Sequence, residues 1–271
     1  MTTGTLYVVS TPIGNLEDIT LRALRVLREA SLVACEDTRQ TRKLLDHFAI
    51  TTATTSYHEH NETVRATELA ERMSAGAIIA LVTDAGTPLL SDPGYRLVQA
   101  AIAAGVPVVP IPGASAALGA LAASGLATDE FRFCGFLPSK CGQRKKVLEA
   151  LQEEECTLVF YEAPHRILDT LADIEAVYGV RPIVVARELT KLHEEFLRGS
   201  AAEVRAQLAS RPSVKGEITL VVGKGAAIVP DTPIEEAVQA LEAQGVARME
   251  AIKQVARERG LAKRDVYKKV T

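Results

Sequence analysis

Several short segments of this 271-residue chain gather residues able to hold or activate a ligand. Ser10-Thr11-Pro12-Ile13-Gly14-Asn15, Glu36-Asp37-Thr38-Arg39, Thr83-Asp84-Ala85-Gly86-Thr87-Pro88, Ser91-Asp92-Pro93-Gly94 and Pro112-Gly113-Ala114-Ser115-Ala116 mix small turn-forming residues with carboxylates and hydroxyls. Small residues let backbone N–H and C=O groups approach a ligand closely, and the side-chain oxygens add acceptors. Tyr161-Glu162-Ala163-Pro164-His165-Arg166 and Arg187-Glu188 place charge at two further points. One or two such segments are ordinary turns. A series of them, each directly after an apolar run, favours a ligand crevice.

Other chemistries lack their residues. No GxGxxG follows the first apolar run, so a Rossmann dinucleotide site is not expected. GxxxxGK[ST] and GxSxG are absent as well. His58-Glu59-His60 could face one way in an extended segment, but no third ligand is identifiable and no metal is expected. Cys35, Cys134, Cys141 and Cys156 form no CxxC pair, which reads as buried thiols in a reducing cytoplasm. After Phe136-Leu137-Pro138-Ser139, the cations Lys140, Arg144, Lys145 and Lys146 follow with no acid among them. Cations at a helix start oppose the helix dipole, which favours a role in phosphate contact.

The elements that must position these residues follow from periodicity. Apolar, β-branched runs at 6–10, 32–35, 78–83, 106–111, 131–136, 158–161, 183–186 and 218–222 read as strands. Between them lie helical spacings such as Leu21, Leu24 and Leu27, or Ile167, Leu168, Leu171 and Ile174. Such alternation predicts an α/β protein with largely parallel sheets, followed by a small module that reads helical only. In parallel sheets ligands sit at the carboxyl ends of strands, where the segments above fall. Boundaries are expected at 1–125, 126–228 and 231–271. The uncharged stretch 97–128 carries Pro107, Pro110 and Pro112, which no single membrane helix would hold. The N-terminus shows neither a basic nor an apolar leader pattern.

Composition bounds the partners. A net charge of −3 creates no global basic field, and 4% aromatics without tryptophan argues against a single-strand stacking platform. Residues 246–271 differ: they carry eight cations against three acids. Their pattern reads helix, turn at Gly260, helix, resembling a helix-turn-helix with Val255 and Ala256 inward.

Taken together, the strand-end series, with Gly135-Phe136-Leu137-Pro138, Ala186-Arg187-Glu188 and Gly216-Glu217, resembles the tetrapyrrole-methylase-like, class III methyltransferases. Within them it is most similar to the bacterial ribosomal RNA small-subunit methyltransferase I family, over roughly residues 4–223. The resemblance implies two α/β lobes with mixed, largely parallel sheets and a cleft between them, S-adenosyl-L-methionine held in that cleft as methyl donor, a cytidine ribose 2′-hydroxyl in 16S ribosomal RNA of the 30S subunit as acceptor, and a cytoplasmic homodimer. Carried over by position, Pro12, Asp84, Thr87, Ser115, Ala116, Tyr161, Ala186, Arg187 and Gly216 would hold the cofactor. Candidate proton acceptors are Glu36, Asp37, His58 and Glu162. Lys140, Arg144, Lys145, Arg166 and the tail would grip RNA phosphates. Two rivals remain: methylation of a tetrapyrrole or other small molecule, and a ligand-sensing DNA-binding regulator.

Overall fold

A computed structural model describes residues 3–225, 233–258 and 261–270. The first lobe is a five-stranded sheet in the order β3-β2-β4-β1-β5, built from β1 (Thr5–Val9), β2 (Leu32–Cys35), β3 (Thr54–Ser56), β4 (Ile78–Leu81) and β5 (Val108–Ile111). All its pairings are parallel. Parallel strands need crossovers and both faces covered. Accordingly, Leu32, Ala34, Ile79 and Leu81 point to one face, under α3 (Glu62–Ser74) and α4 (Tyr95–Ala103). Val33, Cys35, Ala80 and Val82 point to the other, under α1 (Leu21–Glu29) and α2 (Thr38–His47).

The segments after β1 and β4, which are neighbours in the sheet, lead to helices on opposite faces. This is the topological switch point where α/β sheets bind ligands. A single backbone bridge, Thr11 to Gly86, ties the two segments together there.

In the second lobe the order is β6-β7-β10-β8-β9, with β6 (Phe131–Phe136), β7 (Thr157–Glu162), β8 (Pro182–Arg187), β9 (Glu195–Ser200) and β10 (Ile218–Val222). Only β6 and β7 run parallel; the other three pairings are antiparallel. The parallel expectation therefore describes the first sheet, while the second is mixed. One face, with Leu158, Phe160, Ile183, Val185, Ile218 and Leu220, is covered by α6 (Cys141–Ala150), α7 (Ile167–Tyr178) and α8 (Ala201–Ala209).

The opposite face presents Val159, Val184, Ala186 and Val221. These pack on Ala117, Ala120 and Leu121 of α5 (Ala116–Ser124), which follows the last strand of the first sheet. Arg198 of β9 reaches back to bond the α5 carbonyls of Ala123 and Ser124, at 2.6 and 3.1 Å. The stretch 97–128 is thus a helix, a strand and a second helix shared between lobes. Among the described residues no helix is long and apolar enough to cross a membrane.

Three expectations need correction. The face of α1 buries Ala23, Val26 and Leu27, whereas Leu21 is 86% exposed, because the helix begins at Leu21 and its first residue overhangs the sheet. Strands β3 and β9 were not anticipated. Of the cysteines, only Cys35 is buried; Cys134 and Cys156 are half-buried and Cys141 is exposed at the start of α6.

The tail holds three helices, α9 (Ile234–Ala243), α10 (Arg248–Glu258) and α11 (Lys263–Val270), around a core of Ile234, Val238, Ile252, Val255 and Val266. The expected boundary between 228 and 231 and the Gly260 turn lie outside the described residues.

Candidate functional site

A cavity of about 400 Å³ lies between the two lobes. Its first-lobe wall includes Ile13, the Asp84-Ala85-Gly86-Thr87 turn, Leu90, Ser91, Asp92 and Ala116. Its second-lobe wall includes Phe136, the Tyr161–Pro164 segment, Ala186, Leu189 and the Glu217–Thr219 segment. The lining is mainly apolar with convergent carboxylates, the usual make-up of a small-molecule site.

Local bonding fixes the first-lobe turn. Thr11 Oγ1 donates to the Thr83 carbonyl at 3.1 Å, and Thr87 Oγ1 donates to the Ala114 carbonyl at 3.2 Å while lying 3.0 Å from Ser10 Oγ. The Asp37 N–H donates to Asp84 Oδ1 at 3.2 Å, linking the β2 end to the cavity wall. Gly86 adopts φ +87°, which lets the turn double back on Thr11. Backbone strain gathers on both sides of the cleft. Leu89 and Ser91 on one side, and Glu188 and Thr190 on the other, hold φ between 52° and 73°. Non-glycine residues there cost roughly 1–3 kcal/mol each and persist where surrounding structure imposes them, typically at functional sites.

Of the expected cofactor residues, Asp84, Thr87, Ala116, Tyr161 and Ala186 meet on the cavity wall. Four lie outside the lining. Pro12 is buried beside Ile13. Ser115 caps α5, accepting from the Leu118 N–H at 3.4 Å. Arg187 turns to Glu195 and to the Lys215 carbonyl. Gly216, at φ +92°, lies so close to Glu188 that a Cβ would meet its side chain at 2.4 Å. Asp92, Phe136 and Glu217 were not anticipated as site residues. Asp92 sits in a segment after β4 and Phe136 ends β6, which was the available signal; Glu217 instead immediately precedes β10.

The proton-acceptor candidates separate by environment. Partial withdrawal from water raises the Glu36 carboxyl above its ordinary range, and the negative charges of Asp84, Asp92 and Glu59 reinforce this. Burial likewise raises Asp92. Hydrogen bonds from Arg39 hold Asp37 at about 2. Glu162 is buried with both oxygens taken, by Arg166 and the Ala163 N–H on one and the Thr170 hydroxyl on the other. His58 Nε2 lies 3.3 Å from Asn61 Nδ2.

The phosphate candidates also divide. Lys140 and Lys146 are exposed, and Lys145 reaches to 3.6 Å from Asp173. Arg144 is corrected: it is only 3% exposed, donating to Asp173 Oδ2 at 2.7 Å and to the Ser139 carbonyl at 3.1 Å, so it cannot meet RNA at the surface. Its spacing from the buried Leu148, four residues on, puts it on the inner face of α6. Arg166 is committed to Glu162. Among the described residues no three His, Cys, Asp or Glu side chains gather as a metal site.

The family description for tetrapyrrole (corrin/porphyrin) methylases matches residues 5–205. A ribosomal RNA small subunit methyltransferase I from Halalkalibacterium halodurans is 50% identical over 97% of this chain and 93% of its own length. One of the same name from Synechocystis is 47% identical over 97% and 96%. Among solved structures, diphthine synthase superposes with a TM-score of 0.62 at 16% identity, covering 81% of this chain and 90% of that one. Uroporphyrin-III C-methyltransferase from Thermus thermophilus, complexed with S-adenyl homocysteine, superposes with a TM-score of 0.56 at 21% identity, covering 81% and 97%. At such identities these two structures speak for the fold alone.

Proposed function

Because the chain belongs to the family of ribosomal RNA small subunit methyltransferase I, within the tetrapyrrole methylases, we propose that it methylates the ribose 2′-hydroxyl of a cytidine in 16S ribosomal RNA, using S-adenosyl-L-methionine. The acceptor is presented on the 30S subunit, and the working enzyme is a cytoplasmic homodimer. The observation that carries the reading is near-full-length identity of about half to relatives of that name, joined to a cleft of the right chemistry.

The residues present suit the cofactor. Carboxylates of Asp84 and Asp92 on a mainly apolar wall favour a cationic group. S-adenosylmethionine, when bound, supplies an electrophilic methyl on a sulfonium. Asp84, Thr87 and Ala116 would hold it from the first lobe, and Tyr161 and Ala186 from the second. Their task is alignment, since displacement at carbon needs acceptor oxygen, methyl and leaving sulfur in line. A ribose hydroxyl becomes a good nucleophile only as its proton leaves. We assign that proton to Glu36. It directly precedes Asp37, whose N–H bonds Asp84 of the cavity wall; partial withdrawal from water and the charges of Asp84, Asp92 and Glu59 raise its basicity, and the other carboxylate candidates are held by cations. Lys140, Lys145 and the exposed Lys263, Lys268 and Lys269 of the tail would contact phosphates.

The test is incubation with tritiated S-adenosylmethionine and 30S subunits lacking the modification, followed by nucleoside analysis. Label in 2′-O-methylcytidine is expected. Cofactor binding without RNA label would overturn the RNA reading and turn attention to small-molecule acceptors such as tetrapyrroles. Affinity for duplex DNA without methyl transfer would point to the regulator instead.

A further inference from the structure

The second-lobe rim of the cavity carries an irregularity that the proposed function leaves unused. The β6–β7 register shifts between Phe133 and Gly135. In a regular strand, residues three apart point to opposite faces. The extra residue reverses that, so Phe133 and Phe136 both lie against Tyr161, with ring centroids 5.0 and 5.6 Å away. Gly135 makes the bulge possible with φ +65°, and a Cβ there would stand 3.2 Å from Ser91 Oγ of the facing lobe. Bulges beside active sites re-aim side chains. Here the re-aimed side chain is Phe136, which lines the cavity yet remains 56% exposed. Across the cleft the lining residue Leu90 is also exposed, at 39%.

Size places the two reactants. About 400 Å³ lies near the lower end of the roughly 300–1,000 Å³ typical of ligand pockets, enough for one small molecule but not for a cofactor and a nucleoside together. The acceptor must therefore stand at the rim. A ribose can reach a cleft only if its nucleotide leaves the surrounding stack, and the freed base then needs a surface to replace its neighbours. A half-exposed ring at the rim, followed within four residues by the exposed Lys140, offers both stacking and phosphate contact.

We propose that Phe136, turned into the cleft mouth by the bulge at Gly135, is the stacking platform for the extruded base of the acceptor nucleotide. This rests on the RNA reading of the site. Stacking is indifferent to base identity, so Phe136 holds the nucleotide while hydrogen-bonding groups choose it.

The experiment compares full-length wild type with F136A, F136L and F136W. It measures S-adenosylmethionine affinity by calorimetry and steady-state methylation of 30S subunits lacking the modification. All four proteins are expected to bind the cofactor alike. F136A and F136L should lose about tenfold or more in kcat/KM for subunits, through KM, the range expected for a lost stacking contact. F136W should restore it. Since the chain has no other tryptophan, its emission should also fall when subunits are added. Wild-type kinetics in F136L would overturn the proposal, because leucine fills the space against Tyr161 without a π face. Weakened cofactor binding by F136A with normal KM for subunits would overturn it too, by assigning the ring to the cofactor. If wild type labels the subunits and F136L matches it, only this inference fails. If wild type itself does not label them, the RNA reading fails and takes the inference with it.

Discussion

Exchanging Glu36 for glutamine keeps the side chain's shape and removes its basicity. With Glu36 as proton acceptor, E36Q should lower kcat by about 100-fold or more, the usual contribution of general base catalysis, while calorimetry finds cofactor affinity unchanged. Because partial withdrawal from water, reinforced by its acidic neighbours, raises the Glu36 pKa, the acidic limb of the wild-type rate profile should lie above an ordinary carboxylate's, and E36Q should lose that limb. Glu195 gives a prediction of opposite sign. Arg211 and Arg187 hold it at about 2, below the unfolded value of 4.5. Its stabilising effect is complete above pH 4.5 and disappears as pH falls toward 2. E195Q should therefore cost about 2 kcal/mol at neutral pH, as for hydrogen bonds to a charged group, and much less near pH 2 in urea titrations. At this scale the sequence was partly legible. Asp84, Thr87, Ala116, Tyr161 and Ala186, carried over by the family resemblance, do meet on the cavity wall. Arg144 could not be placed, because a sequence of cations does not reveal which one turns inward to meet a carboxylate 29 residues away.

Among elements, α6 and α7 are joined by that pair. The Arg144 and Asp173 side chains are 4% and 7% exposed. Removing one partner strands the other's charge, so D173A should destabilise the protein by about 3–5 kcal/mol in chemical denaturation. Arg144 also bonds the Pro138 and Ser139 carbonyls, at 3.5 and 3.1 Å, so the same variant should loosen the loop that carries Lys140. Strands with a continuous apolar run were readable from sequence. β3, with Thr54-Thr55-Ser56, and β9, with Glu195-Phe196-Leu197-Arg198-Gly199-Ser200, were not. Both are edge strands, where one flank meets water and the apolar signal is weak. The bulge at Gly135 was likewise invisible, since it arises from pairing with β7 rather than from β6 alone.

For the whole molecule, charge asymmetry sets an expectation. Residues 246–271 hold eight cations in a chain of net charge −3. Binding to 30S subunits should weaken steeply with added salt, and deleting residues 231–271 should flatten that slope while leaving cofactor affinity intact, as filter binding at several salt concentrations would read. An α/β chain with a helical tail was legible from alternation and composition, and its two lobes from the family resemblance, but the sharing of α5 was not, because an alanine-rich helix matches either neighbour equally well. That sharing matters while the chain is being made. About a hundred residues separate the end of α5 from the end of β10, the central strand of the sheet it covers. At about 5–20 residues per second, translation leaves α5 without that sheet for on the order of ten seconds. Throughout that interval an apolar helix projects from a finished first lobe. On a crowded polysome, the second sheet of an adjacent nascent chain is as good a mate as its own, so slow translation through residues 125–222 should yield lobe-exchanged dimers.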